Sequence, residues 1–514
     1  MNKKLIAFLS ILSLLLSTPL IPVNAAVKAG GACTKAGITS VVSNKTYTCI
    51  ESGKKLVCDK GIIFKSAEFA EDLSEAERNF CELDSGTPAE WLDVQKATND
   101  VFRCLPPFRY LPGKDIVYTP KNALSEQKDL LNITDCKVRD VAGNSEKYGR
   151  ANFANASHQS GIFTPTKNAN ILVVGIQFTD VQTSSTPEKD FKRYTDFYGK
   201  FLKTISDVDV QITYKFTQNY IQMGKPLEKY GLGDEHADTS AFKADFLSVT
   251  DPQIDYSNIG QVLIVAPAQT NPKLLSAHMN WYGEWRTSEG QIPSVYLHGP
   301  ILPTNPLIDR IWSVSPWITI HEAFGHQLGL DDHLADEQVF AHTKSSSDFR
   351  DYGSPNNQMS GAYGDFLAWD KWLSGLISDD QVRCASKDKT TIHWIRPNST
   401  SGKFVKAVLI PLSDGQALEV ESFRSTGWNW KFPTLYSGAQ VHLIDRSEAR
   451  YGYGVYQLRS ESKPGSRDGT WGKNGKSNLF DAALKLNESL TAYGVKITVL
   501  EAGNFGDVIR VEKI

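Results

Sequence analysis

The chain has no excess of positive charge. Its 514 residues carry 55 Lys and Arg against 58 Asp and Glu, a formal net charge of −3. No basic block stands out, so the electrostatic attraction that dominates nucleic-acid affinity is missing and no nucleic-acid partner is expected. Cysteine is sparse, with seven residues and no C-x-x-C pair. A zinc site built from paired cysteines is thereby disfavoured. Past residue 25, no apolar run approaches the roughly 20 residues that a bilayer-spanning helix needs. There is no internal repeat and no low-complexity tract. What remains is an ordinary globular balance, 41% hydrophobic and 22% charged, enough for two to four domains of about 100–200 residues each.

The N-terminus reads as a secretory signal. Lys3 and Lys4 precede the apolar run Leu5–Leu16, and Val23 and Ala25 suit the −3 and −1 positions of a cleavage site. A mature, exported chain without a transmembrane segment is the expectation, with residues 1–25 removed. Export permits disulfides. Six cysteines (Cys33, Cys49, Cys58, Cys81, Cys104 and Cys136) lie within the first 136 residues, which predicts a stapled N-terminal region. Their pairing is open, and Cys384 is left over as a candidate buried thiol.

Residues 27–62 form a small unit of short β-prone runs, Thr39–Val42, Thr46–Ile50 and Leu56–Cys58, between Gly, Ser and Asn turns. Residues 63–155 are mixed helical and Pro-rich sequence, read as a propeptide-like or linker region. A domain spanning 160–383 follows. It opens with "NILVVGIQF" (Asn170–Phe178), a continuous apolar run fit for a strand buried on both faces. An amphipathic helix is predicted next, with Thr186 as its cap, Pro187 in its first turn, and Phe191, Tyr194, Phe197, Tyr198 and Phe201 on one face. Strands at Val210–Phe216 and Gln261–Pro267 come after it. Residues 385–514 are a series of short strands such as "FVKAVLIPL", "ALEVESF" and "AQVHLID", which argue a β-sandwich-like domain.

The chemistry concentrates in "ITIHEAFGHQLGLDDH", Ile318–His333. Zinc needs neutral imidazoles converging on one point, and a peptidase adds a carboxylate to activate water. In H-E-x-x-H the two histidines are four apart and differ by about 40° around an α-helix. His321 and His326 are five apart, which in an α-helix separates them by about 140°. A single π-helical turn would absorb the extra residue, and such turns recur at functional sites. Gly325 is expected to ease that distortion. Downstream, Gly329 and Asp332 follow His326 by three and six residues, an H-x-x-G-x-x-D pattern in which the glycine lets a third ligand fold back.

The spaced H-E-x-x-x-H resembles the zinc helix of dipeptidyl peptidase III. "HQLGLDD", "NILVVGIQFTD", "FKRYTDFYGKFLKTISD", the block Asn356–Val382 and the stretch Val408–Arg424 resemble the immune inhibitor A-like family of secreted bacterial zinc metallopeptidases. The likeness runs from about Asn170 to the C-terminus. It implies an α/β (α+β), zincin-like peptidase domain followed by the β-rich one. It makes His321 and His326 zinc ligands, Glu322 the general base and Met359 the methionine of a turn beneath the metal. For the third ligand Asp332 fits the spacing and His333 is the alternative; Asp331 and Asp365 remain open. Tyr363 is a candidate oxyanion donor. Structural calcium is a further expectation. Residues 27–62 resemble a short module of exported actinobacterial proteins, which implies attachment to a surface.

The resulting expectation is a secreted zinc-dependent endopeptidase that acts on protein or peptide substrates through a metal-activated water. Two rivals stand beside it. One is a catalytically silent surface protein that keeps the fold. The other is a glycan or cell-wall binder, for which "GWNW" (Trp428, Trp430) would be the platform; core packing is the competing explanation of those tryptophans.

Overall fold

The computed structural model describes residues 28–33, 39–42, 45–52, 55–58, 62–63, 111–112, 116–153, 169–233, 239–267, 269–271, 274–275, 279–298, 319–333, 357–361, 364–429, 436–449, 454–460 and 482–514. Residues 1–25, expected from the sequence to be a leader, and Cys81, Cys104, Tyr363 and Trp430 lie outside them.

The N-terminal unit is a four-stranded sheet of β1 (Thr39–Val42), β2 (Lys45–Ser52), β3 (Lys55–Cys58) and β4 (Ile62–Ile63). Its strands match the β-prone runs of the sequence. A Cys33–Cys49 disulfide staples it, and Cys58 is a buried free thiol. The short strand β5 (Leu111–Pro112) pairs with a strand of the C-terminal region, described below.

A six-stranded sheet positions the histidine segment. It contains β6 (Ala169–Gln177), β7 (Ile212–Phe216), β8 (Ile221–Gln222), β9 (Gln261–Val265), β10 (Met279–Thr287) and β11 (Gly290–His298). The order is β10-β11-β9-β6-β7, with β8 also on β6. Strands β7, β6, β9 and β11 run parallel, and β10 returns antiparallel at the edge. The unbroken apolar run in β6 has a direct cause. Ile171 and Val173 point into one core, while Leu172, Val174 and Ile176 point into another. A strand buried on both faces cannot alternate apolar with polar.

The helix Pro187–Ile205 covers one face of this sheet. The Thr186 hydroxyl accepts the Lys189 N–H at 3.3 Å and starts it, with proline in the first turn. Phe191, Tyr194, Phe197, Tyr198, Phe201, Leu202 and Ile205 are all buried at 3% exposure or less. This single stripe fixes the helix against the sheet and against Phe324 of the histidine segment.

The C-terminal region is two facing sheets. One holds β12 (Val382–Cys384), β15 (Ala407–Ser413), β16 (Gln416–Phe423), β17 (Gly438–Asp445) and β18 (Val455–Leu458). The other holds β13 (Thr391–Ile395), β19 (Ser489–Ala492), β20 (Val495–Gly503) and β21 (Gly506–Lys513), while β14 (Thr400–Ser401) pairs with β5. Val408, Leu418, Val441 and Leu443 from the first sheet share a core with Ile497, Val499, Ile509 and Val511 from the second. The opposite side of the first sheet, through Ala407, Leu409, Ala417 and Ile444, joins the core of the histidine-bearing region. Its first strand begins at Val382, slightly ahead of the boundary expected from the sequence.

Residues 116–153 belong to the same core through Cys136, Val138 and Ala151. Here the cysteine expectation needs correction. Cys384 is not a free thiol: it is bonded to Cys136 across 248 residues of sequence. The whole is an α+β multidomain chain with extensive sheets and few helices. Among the described residues, no helix is long and apolar enough to cross a membrane.

Candidate metal centre

The segment Ile320–Gly325 is π-helical, followed by one 3-10 turn at His326–Leu328. The His326 N–H donates to the His321 carbonyl, five residues back. This wider turn absorbs the extra residue and brings both imidazoles to one side. Their ring centroids lie 4.8 Å apart with planes at 89°. Gln261 on β9 ties the turn to the sheet by donating its side-chain amide to the Ala323 carbonyl at 2.5 Å. Gly325 itself has φ −59° and ψ −60°, which any residue adopts. The reason for glycine is space: a Cβ there would overlap the sulfur of Met359.

Gly329 ends the helix at φ +83°, and a Cβ on it would run into the backbone of Ala151. Both facts require glycine. The chain then doubles back and presents Asp332. Its Oδ1 lies 2.8 Å from His321 Nε2 and 3.3 Å from His326 Nε2. Each of the three residues offers one ligand atom, and these atoms lie within 4.8 Å of one another. All three are buried, at 4–8% exposure. Among the described residues, no other set of three His, Cys, Asp or Glu side chains converges this way.

The outer ring nitrogens are also placed. His321 Nδ1 lies 2.7 Å from the Gln358 carbonyl oxygen, and His326 Nδ1 lies 3.0 Å from that of Leu330. A carbonyl only accepts, so each Nδ1 carries its hydrogen and it is Nε2 of each ring that faces Asp332. The buried carboxylate between the two Nε2 atoms favours positive charge at this point, as a proton on a ring or as a metal ion. The electrostatics say the same. Burial opposes charging His321, but Asp332, Glu322 and the Gln358 carbonyl outweigh it and push the imidazole up to about 9. Burial likewise raises Asp332, but His326 and His321 prevail and hold its carboxyl well below the usual range. Two imidazole nitrogens and a carboxylate oxygen form a donor set that could hold a metal ion.

Glu322 sits at the rim of this group, its Oε2 3.9 Å from His326 Nε2. Asn280 of β10 donates to the same Oε2 at 2.8 Å, and Gln327 donates to Asn280 Oδ1 at 3.0 Å. The edge strand thus orients the carboxylate.

The remaining candidates are distributed around the centre. The His333 N–H donates to the Met359 carbonyl at 2.8 Å, while its Nε2 lies 3.4 Å from Asp370 Oδ1, outside the three-residue group. Asp331 Oδ1 lies 2.8 Å from Arg150 Nε. Asp365 accepts from Lys371 Nζ at 2.7 Å; burial prevails over that partner and pushes its carboxyl up to about 6. Met359 is fully buried beneath Gly325. Trp428 is fully buried against Phe197 and Phe201, so it is core and offers no sugar platform. Sequence reasoning missed Asn280, Gln327 and Arg150. Only Asn280 had a usable signal: it lies in an aromatic β-prone run before a two-residue loop, Ser288–Glu289.

No protein-family model matches the chain, and no curated protein matches it. Among solved structures, wild-type OgpA from Akkermansia muciniphila is 12% identical, over 58% of this chain and 88% of that one, with a TM-score of 0.20. So low a TM-score carries no argument about fold or function.

Proposed function

We propose that the chain is a secreted zinc-dependent peptidase of the immune inhibitor A-like type, with a zincin-like domain built on the six-stranded sheet. One observation carries the reading. The π-helical turn aims His321 and His326 at Asp332 while holding Glu322 beside them.

A divalent metal bound there supplies a Lewis acid that polarises the scissile carbonyl and acidifies a water. Glu322 takes one proton from the attacking water. The water oxygen bonds to the carbonyl carbon, the C–N bond breaks, and Glu322 returns the proton to the departing amine. Asn280 holds Oε2 in place for both transfers, and Gln327 holds Asn280. The Gln358 and Leu330 carbonyls keep the hydrogens on Nδ1, leaving Nε2 of each ring for the metal. Ferrous iron suits the same donor set, but a hydrogen-bonded carboxylate at its rim favours hydrolysis. That carboxylate also favours the enzyme over the silent relative. Export is supported by the leader-like residues 1–25 and by the disulfides Cys33–Cys49 and Cys136–Cys384. Attachment to a surface through the N-terminal sheet belongs to the same proposal.

The test is metal analysis of the purified protein with casein digestion, wild type against Glu322→Gln. Near-stoichiometric zinc in both, with digestion only by wild type, supports the reading. Zinc without digestion in either leaves the silent relative, and absence of metal overturns the proposal.

A further inference from the structure

Arg150 lies far from the histidine segment in sequence and is 1% exposed. Its Nε is 2.8 Å from Asp331 Oδ1. Its Nη1 donates to the Leu330 carbonyl at 3.0 Å and lies 3.4 Å from His326 Nδ1. That carbonyl is the one that accepts from His326. A single guanidinium therefore touches the ring of one candidate ligand, the carbonyl that orients it, and the residue preceding another.

The next residue continues the contact. The Ala151 N–H donates to the Gly329 carbonyl at 2.8 Å, and Ala151 occupies the space a Gly329 side chain would need. Arg446 at the end of β17 in turn donates to the Ala151 carbonyl at 2.8 Å. Cys136, earlier in the same segment, is bonded to Cys384. The segment 116–153 is thus fastened to the C-terminal sheet and pressed against the turn that delivers Asp332.

A buried guanidinium is costly unless its partners are fixed. Here they are consecutive residues of one turn. Asp331 is held on Arg150, and its neighbour Asp332 meets the two histidines. We propose that Arg150 is a positioning residue of the metal centre, and that the segment carrying it stays with the active protein instead of leaving as a propeptide. This rests on the metal reading of His321, His326 and Asp332.

The experiment measures zinc affinity of the full chain by competition with a chromogenic chelator, and the rise in Tm that zinc produces. Arg150→Gln should weaken zinc binding about 10–100-fold, the usual cost of losing an outer-shell partner. Arg150→Lys should recover only part of it, because an ammonium cannot span separate acceptors as a planar fork does. If Arg150→Gln fails to fold for want of a partner to Asp331, the double variant Arg150→Gln/Asp331→Asn decides, since it leaves no buried unpaired charge. Folded variants with wild-type zinc affinity overturn the proposal. A wild-type chain that binds no zinc, or binds it equally with His321→Ala, overturns the metal reading and this proposal together. N-terminal sequencing of the active secreted form should place its start before Cys136, the residue that bonds the segment to Cys384. An active form beginning after residue 153 overturns the retention of the segment.

Discussion

Met359 packs against the bare Cα of Gly325, leaving no room for a side chain between the π-helical turn and the segment that carries Met359. Phe366 closes the same space from another side. Gly325→Ala should therefore destabilise the protein by about 1–3 kcal/mol, the usual cost of overpacking a tight core. Met359→Ala alone should also destabilise, by opening a cavity. The double variant should cost less than the sum of the two. Urea titrations of the three variants check this; strict additivity would mean that the two residues do not meet.

Alanine at His321, His326 or Asp332 should each abolish tight metal binding. Saturating zinc at about 100 times its Kd should stabilise the wild type by about 2.7 kcal/mol. Thermal melts with and without chelator should separate for wild type and coincide for all three variants. His333→Ala should keep the metal-dependent shift, because His333 sits on Asp370 instead.

Glu322→Gln should lower casein digestion by about 10²–10⁴-fold with zinc content unchanged. Asn280→Ala removes the hydrogen bond that orients Glu322. It should lower kcat with little change in KM and none in bound zinc. A change confined to KM would instead make Asn280 a substrate contact.

A cluster of buried acids lies where the C-terminal sheet meets the histidine-bearing region. Burial, reinforced by Glu419, pushes Glu421 up to about 8. Its Oε2 accepts from the Ala368 N–H at 2.7 Å. A carboxyl raised from 4.5 to about 8 is favoured neutral in the fold. Its contribution is fully present below its unfolded value and is lost as pH climbs to the folded one. Glu421→Gln keeps the shape and cannot ionise. Relative to wild type it should gain stability between pH 5 and pH 8, on the order of a few kcal/mol. Denaturant titrations at both pH values check the sign, and a constant difference would refute it. His442 runs the other way: burial lowers it to about 4, so wild type also loses stability as pH falls below about 6.5.

Much of the frame was legible because single segments determine it. The strand at Ala169–Gln177 needs only its run of apolar residues, and the helix after Thr186 needs only its cap and aromatic stripe. The π-helical turn was legible because two histidines five apart in sequence have few other ways to share a ligand. The signal of the hairpin β10–β11 was weakened by Gly283, which sits in a bulge between Tyr282 and Trp285, and by Pro293 within a strand. Neither Arg150 nor the Cys136–Cys384 bond could be read, since both depend on segments meeting from far apart in sequence. Asp332 and His333 are adjacent, and no pattern tells which of two neighbours turns inward. The fold decides by hydrogen-bonding the His333 N–H to Met359.

The Cys136–Cys384 bond also settles how the molecule carries load. Tension applied between the N-terminal sheet and Ile514 reaches Cys136, crosses the sulfurs to Cys384 and continues into the C-terminal strands. The chain between them, with Arg150, the six-stranded sheet and the histidine segment, forms a covalent loop off that line. A chain pulled at its two ends would keep the His321–His326–Asp332 group mechanically slack for as long as that one bond holds.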